Sequence, residues 1–326
     1  MTATVREADE VGGSPPLTSG VVVVDDFLPP DLALSLRQGI ERHFSAPESH
    51  YPDTHQVWNY WFVRGLYAYL RTTPSKVVDN LLVEQFCGRL ERWATMTLGL
   101  SAVIRPTLSL YVDGCAQGLH NDAANGRFGY VYSLTSDTRR TVGGETQVFH
   151  DEDSARANFL RPSAGTNFYQ SIEPRFNRLV IFDDRLPHAV SRVEGPMDPL
   201  EGRFVLHGHI YEAGPVTGGA LSPEKLFVPA IDAARAYFHS GRWALDAYHG
   251  VVSIRLDVNA SGRVFGCRTL MDRVVHLDRA NMNWPTILAG LLQDLNQLSF
   301  KASAGDSWII VPFVFGGELP NITRAR

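Results

Sequence analysis

His120-Asn-Asp122 sets an imidazole and a carboxylate two positions apart, and His188 offers a second imidazole further along the chain. In an extended segment, residues i and i+2 point the same way, so His120 and Asp122 can converge on one point. Two neutral histidines and one carboxylate on one face of an octahedron leave three positions open. That donor set suits non-haem Fe(II) that must also take O2 and a chelating co-substrate. The spacing alone is weak. It recurs in His276-Leu-Asp278, and His150-Asp-Glu152 comes close. No histidine follows Asp278, so that copy reads as surface or structural.

Such ligands need a rigid scaffold. Val21-Val-Val-Val24 reads as a buried strand. Pro29-Pro-Asp31 opens a helix whose apolar stripe is Leu32, Leu36, Ile40 and Phe44. A second helix over about 76–97 carries Val78, Leu82, Phe86, Leu90 and Trp93. From 104 to 210 the texture changes to short runs, at 107–112, 130–134, 146–149, 179–182 and 203–211. They are separated by Gly, Asp, Asn and Pro, the pattern of a sandwich or jelly roll. A Gly-rich stretch at 213–220 marks a boundary. Beyond it Val252, Ile254, Leu256 and Val258 alternate, Asn259-Ala-Ser-Gly262 turns, and residues 263–270 return. Ile287, Leu291, Leu295 and Leu298 mark a helix, and 308–315 a last strand. The expected class is α+β, mainly β. The expected divisions are a flexible tail at 1–19, a main domain at 20–220 and a small β-β-α-β domain at 221–326.

Over residues 20–212 the chain resembles the prolyl 4-hydroxylase-like branch of the 2-oxoglutarate/Fe(II) oxygenases. The resemblance is carried by Leu110-Tyr-Val-Asp-Gly114, Leu119-His-Asn-Asp122, Tyr130-Val-Tyr-Ser-Leu134 and Gly143-Gly-Glu-Thr146. Arg178-Leu-Val-Ile-Phe182, Pro187-His-Ala-Val190 and Gly202-Arg-Phe-Val-Leu206 complete it. It implies a double-stranded β-helix, with Fe(II) on His120, Asp122 and His188, and with 2-oxoglutarate and O2 as co-substrates. It also implies that Arg203 anchors the distal carboxylate of 2-oxoglutarate, since a guanidinium binds a carboxylate through two parallel hydrogen bonds. Because Asp122 is present, the resemblance implies hydroxylation or a related oxidation, with release of succinate and CO2, rather than halogenation.

Other residues carry two readings each. Tyr111 and Tyr132 either donate to the same carboxylate or pack in the core. On the strand of Arg203, Val205, His207 and His209 share its face. The two histidines either face the site or are satisfied by backbone. Arg127 either holds an anionic substrate or is solvated at the surface. The aromatic segment His55-Gln-Val-Trp58-Asn-Tyr60-Trp61-Phe-Val-Arg64 is either a pocket wall or core, with Asn59 and Arg64 as its candidate substrate contacts.

Residues 222–316 resemble the C-terminal domain of TonB-type energy transducers, through Gly262-Arg-Val-Phe265, Leu277-Asp-Arg-Ala280, Leu298-Ser-Phe300 and Ile309-Ile-Val-Pro-Phe313. A transducer needs a membrane anchor, and the sequence shows no apolar run of about 18 residues. That leaves packing, homodimerisation or partner binding as the expected use.

Composition sets the outer limits. At 326 residues, 44% hydrophobic, the chain has room for two domains and a real core. A net charge of −5 without a basic block points away from nucleic acid. Three separated cysteines, Cys87, Cys115 and Cys267, argue against a disulfide framework or a paired-cysteine zinc site. An acidic N-terminus without an apolar core is no secretory signal, so a cytoplasmic location is expected. The substrate expected is a small molecule or a carrier-bound or peptidyl amino acid. The competing readings are a jelly-roll scaffold with a degenerate metal site, and a cupin-type metalloenzyme that makes no use of 2-oxoglutarate.

Overall fold

Short, β-branched and aromatic runs pair in this chain as antiparallel strands, most of them with partners distant in sequence. The computed structural model describes residues 16–46, 57–102, 104–136, 140–149, 169–241, 243, 245–276 and 283–316. In the first part the elements are β1 (Val21–Val24), α1 (Pro30–Ser45), β2 (Asn59–Val63), β3 (Tyr67–Thr72) and α2 (Asn80–Trp93). Then come β4 (Thr107–Tyr111), β5 (Ala116–His120), β6 (Phe128–Ser133), β7 (Thr146–Phe149), β8 (Tyr169–Ile172), β9 (Leu179–Asp183), β10 (His188–Val190) and β11 (Arg203–Ile210). They form one 11-stranded sheet in the order β1-β9-β6-β11-β4-β3-β5-β10-β7-β8, with β2 on the free side of β3. Strand β3 pairs with β4 through Leu70–Thr72 and with β5 through Tyr67 and Ala68, and so curls the sheet upon itself. The result is mainly β, a curled antiparallel sheet with a few helices.

The helices cover one face of this sheet. Pro30 starts α1, where its missing N–H costs nothing. Ala33, Leu36 and Ile40 are buried, while Arg37 reaches in to donate to the carbonyls of Leu134 (3.1 Å) and Leu200 (2.7 Å). Phe86 of α2 is fully buried against Tyr130 and Tyr132. Burying a ring of that size contributes about 1.5–3 kcal/mol. The hydroxyl of Tyr132 donates to Asn177 Oδ1 at 2.8 Å, so this tyrosine belongs to the helix-covered layer.

Residues 211–326 build the second compact unit: β12 (Val216–Gly219), α3 (Pro223–Ser240), β13 (Tyr248–Val258), β14 (Val264–Asp272), β15 (Val275–His276), α4 (Trp284–Asn296) and β16 (Ser307–Phe315). Its five strands run β12-β16-β13-β14, with β15 on β13. Leu226, Ala230, Ile231, Ala234 and Phe238 of α3, with Ile287, Leu291 and Leu295 of α4, fill its core. From β13 onward the order is β-β-β-α-β rather than the expected β-β-α-β, because the two-residue β15 adds to β13 before α4. Helix α3 was not expected, and β12 lies inside the stretch read as a boundary.

The division of the chain is also more interleaved than expected. Leu17 and residues 91–102 belong to the second unit. Leu17 donates its N–H to Leu270 O and accepts from Asp272 N–H, so the end of the expected tail is tied to β14. Residues 1–15 lie outside the described residues. After α2, a π-turn over Ala94–Leu98 closes at Gly99, which has φ 69°. A Cβ there would lie 2.4 Å from Ser253 Cβ, so both backbone and packing require glycine. All three cysteines are free thiols. Among the described residues, no helix is long and apolar enough to cross a membrane.

Candidate active site

Pairing of β5 with β10 sets His120 directly opposite His188, with ring centroids 4.4 Å apart. Each ring is fixed by a carbonyl two residues back: His120 Nδ1 lies 2.7 Å from Gly118 O, and His188 Nδ1 lies 3.0 Å from Leu186 O. A carbonyl only accepts, so the proton sits on Nδ1 and each Nε2 lone pair is free. Both Nε2 atoms face Asp122 Oδ2, at 3.8 Å from His120 and 3.4 Å from His188. Ligands at right angles and about 2.1 Å from one ion lie about 3 Å apart, so a small closure brings this set to bonding range.

Asp122 lies just past the end of β5 and is held by its surroundings. Its N–H donates to Asp184 O at 2.8 Å, and Asn125 Nδ2 donates to its Oδ1 at 2.9 Å. Burial alone would raise its pKa. The neighbouring imidazoles when protonated, His188 first through a hydrogen bond and its charge and then His209 and His120, outweigh that and lower it to about 2. Burial pushes His120 down. One ionised carboxylate and neutral imidazole are the forms a divalent ion requires.

A second carboxylate–imidazole pair adjoins the first set. Asp184 is fully buried and takes His209 Nδ1 at 3.0 and 3.2 Å, which turns His209 Nε2 toward Asp122 Oδ2, 3.9 Å away. Burial would lower the His209 pKa, but the hydrogen bond and charge of Asp184 raise it. Asp184 went unread in the sequence, although it stands in the loop that delivers His188.

His120, Asp122, His188 and His209 line a cavity of about 230 Å³. Arg203, Val205, His207 and His209 all face it from β11. Arg203 is buried opposite Tyr111 of β4, its guanidinium 4.6 Å from that ring's centroid. Nη2 donates to Thr146 Oγ1 at 3.0 Å, while Nε and Nη1 find no acceptor among the described residues. His207 Nε2 lies 2.8 Å from Ser109 Oγ, and burial followed by the charge of Arg203 pushes its pKa down to about 3. The far wall is aromatic: Tyr111 stacks on Tyr69 at 5.0 Å, and Tyr67 meets the His120 ring edge-on.

Residues 106–211 match the family model of the 2OG-Fe(II) oxygenase superfamily. The chain carries a 2OG-Fe(II) oxygenase domain. Fe(II), 2-oxoglutarate and O2 are what such a domain uses, and His120, Asp122 and His188 are its candidate iron-binding triad. Similar solved structures include a Pseudomonas putida prolyl-4-hydroxylase, 18% identical with TM-score 0.43, covering 59% of this chain and 92% of that one. Another is a Trichoplax adhaerens prolyl hydroxylase in complex with a hypoxia inducible factor peptide fragment: 14% identity, TM-score 0.41, coverage 59% and 84%. A third is the alpha ketoglutarate dependent epimerase SnoN from nogalamycin biosynthesis: 14%, 0.42, 60% and 79%. No curated protein matches the chain.

Several candidate residues of the oxygenase domain lie elsewhere than expected. Tyr132 does not line the cavity: its ring packs on Phe86 of α2 and its hydroxyl donates to Asn177 Oδ1. Asn59, Arg64 and Arg127 are also absent from the lining. Asn59 and Arg64 are exposed on and after β2, and Arg127 follows the turn that holds Asp122, its N–H on Ile210 O. Of the aromatic segment, Trp58 packs on Phe44 and Phe204, whereas Trp61 lines the cavity. His55 and the sequence His150-Asp-Glu152 lie outside the described residues, as do Leu277 and Asp278. The ring of His276 packs on Tyr248.

Proposed function

We propose that the chain is a 2-oxoglutarate- and Fe(II)-dependent dioxygenase. It hydroxylates an unactivated C–H bond of a small-molecule, carrier-bound or peptidyl amino-acid-like substrate, with release of succinate and CO2. The observation that carries this reading is a buried guanidinium with two unpartnered N–H-bearing nitrogens in the same cavity as a two-histidine, one-carboxylate cluster. An unpaired buried donor is costly, so its natural complement is an anion that arrives from outside.

In this reading His120 Nε2, His188 Nε2 and Asp122 Oδ2 hold the ion, and the carbonyls of Gly118 and Leu186 keep both rings aimed. Arg203 Nε and Nη1 take the distal carboxylate of 2-oxoglutarate, while Thr146 fixes the third nitrogen. Tyr111 lies along the guanidinium and, stacked on Tyr69, keeps water from that end. Held there, Fe(II) supplies the oxidising chemistry together with 2-oxoglutarate and O2. Asp184 keeps the proton on His209 Nδ1 and sets Nε2 where a substrate would approach. The second unit acts as an auxiliary module for packing or self-association, and the likeness to the TonB C-terminal domain rests on its sequence motifs.

The test is succinate formation from 2-oxoglutarate with Fe(II) and O2, which such sites sustain slowly without substrate. Wild type is expected to form succinate, and Asp122→Ala to form none above background and to bind no Fe(II). Equal turnover in that variant would remove the triad, and no succinate from wild type would favour the cupin-type reading.

A further inference from the structure

Arg71 is a cation in the cavity with no assigned work. Strand β3 sends Tyr67, Tyr69 and Arg71 to the cavity side, two residues apart. The guanidinium lies 3.6 Å from the ring centroid of Trp61, on the paired strand β2. Trp61 is 39% exposed, so this stack stands at the open end rather than in the core. A guanidinium stacked through its face leaves its N–H groups in the plane, directed outward at the edge. Arg71 forms no ion pair among the described residues; it acts on the Tyr69 hydroxyl and, by its charge, on His207.

Counting charges sharpens the point. Under the oxygenase reading, on which this inference rests, Asp122 and the ion offset one another in part, and the two carboxylates of 2-oxoglutarate meet the ion and Arg203. Asp184 is met by His209. His207, with its pKa near 3, stays neutral and adds nothing. Among the described residues that line the cavity, Arg71 is the one that keeps an uncompensated charge. The cavity of about 230 Å³ is below the roughly 300–1,000 Å³ of sites that enclose drug-sized ligands. With 2-oxoglutarate inside, only a small substrate, or one end of a larger one, fits beside it.

We propose that Arg71 binds a carboxylate on the substrate, with the substrate's apolar body against Trp61 and Tyr67 and its reacting carbon toward His120 and His188. The anion-binding role read for Arg127 passes to Arg71. The substrate class is therefore a carboxylic acid with a short apolar arm, an amino acid derivative with a free carboxyl group being one example.

The test uses the full chain, loaded with Fe(II) under anaerobic conditions and saturated with 2-oxoglutarate so that Arg203 is occupied. Calorimetric titration compares 3-phenylpropionate with 3-phenylpropanamide, which share an arm and differ in charge. The acid is expected to bind about tenfold or more tightly than the amide, the range of a charged hydrogen-bonded pair. Arg71→Gln should erase that preference, Arg71→Lys should keep part of it, and neither should change 2-oxoglutarate affinity. Equal binding of acid and amide, binding of neither, or a preference that survives Arg71→Gln overturns the proposal. Failure of 2-oxoglutarate to bind the wild type is seen before either probe is added. It defeats the oxygenase reading separately, and the acid–amide comparison still decides Arg71.

Discussion

At the residue scale, the site works through side chains whose polar atoms are already constrained before any ligand arrives. His120 and His188 have one nitrogen each tied to backbone, and Arg203 has one of three nitrogens tied to Thr146. Replacing Arg203 by Ala removes up to two charged hydrogen bonds, each worth about 1.5–3 kcal/mol. The half-saturating 2-oxoglutarate concentration should therefore rise at least roughly tenfold, while Fe(II) affinity, measured without 2-oxoglutarate, should hold. An unchanged requirement would reassign the anchor. His120, Asp122, His188 and Arg203 were legible because their types and order are informative along the chain. Arg71, Asp184 and Tyr69 were not. Asp184 gains meaning only when His209, from another strand, closes on it. Arg71 does so only when β2 lays Trp61 across it.

At the element scale, glycines make room where strands crowd the ligands. A Cβ on Gly129 of β6 would lie 2.6 and 2.7 Å from the Phe182 ring and 2.8 Å from Asp184 Oδ1. Phe182 in turn rests against the His188 ring, 4.5 Å between centroids. Gly129→Ala should therefore destabilise the protein by about 1–3 kcal/mol and weaken iron binding as well. The checks are a lower denaturant midpoint at unchanged slope, and a metal titration; a stable variant with normal iron affinity would show that Phe182 yields freely. Longer strands with apolar alternation, such as β13, were readable in the sequence. The elements missed lacked that signal. All five residues of β2 are exposed, β10 has three residues, and β5 carries Gln and Gly instead of a β-branched run. Helix α3 hides its stripe behind two buried alanines, Ala230 and Ala234, and an internal Pro229.

At the scale of the whole molecule, the second unit is not a simple appendage. It takes residues 91–102 as well as those beyond 211, and Gly99 seats against Ser253 and Ile310 within it. Deleting residues 221–326 would strip that segment of its sheet, so the truncated chain should be recovered poorly or unfold at lower temperature than the full protein. A truncated chain that melts like the full protein and binds Fe(II) equally well would make the unit dispensable. The order of the strands has a further consequence for how the chain is made. β16, which sits between β12 and β13, follows every other described element of the chain. Chains emerge from the ribosome N-terminus first. Residues 91–102 therefore leave the exit tunnel long before their final partner strand exists. Assembly of that unit is deferred until β16 has emerged, and a chaperone that shields the segment meanwhile would act on the nascent chain.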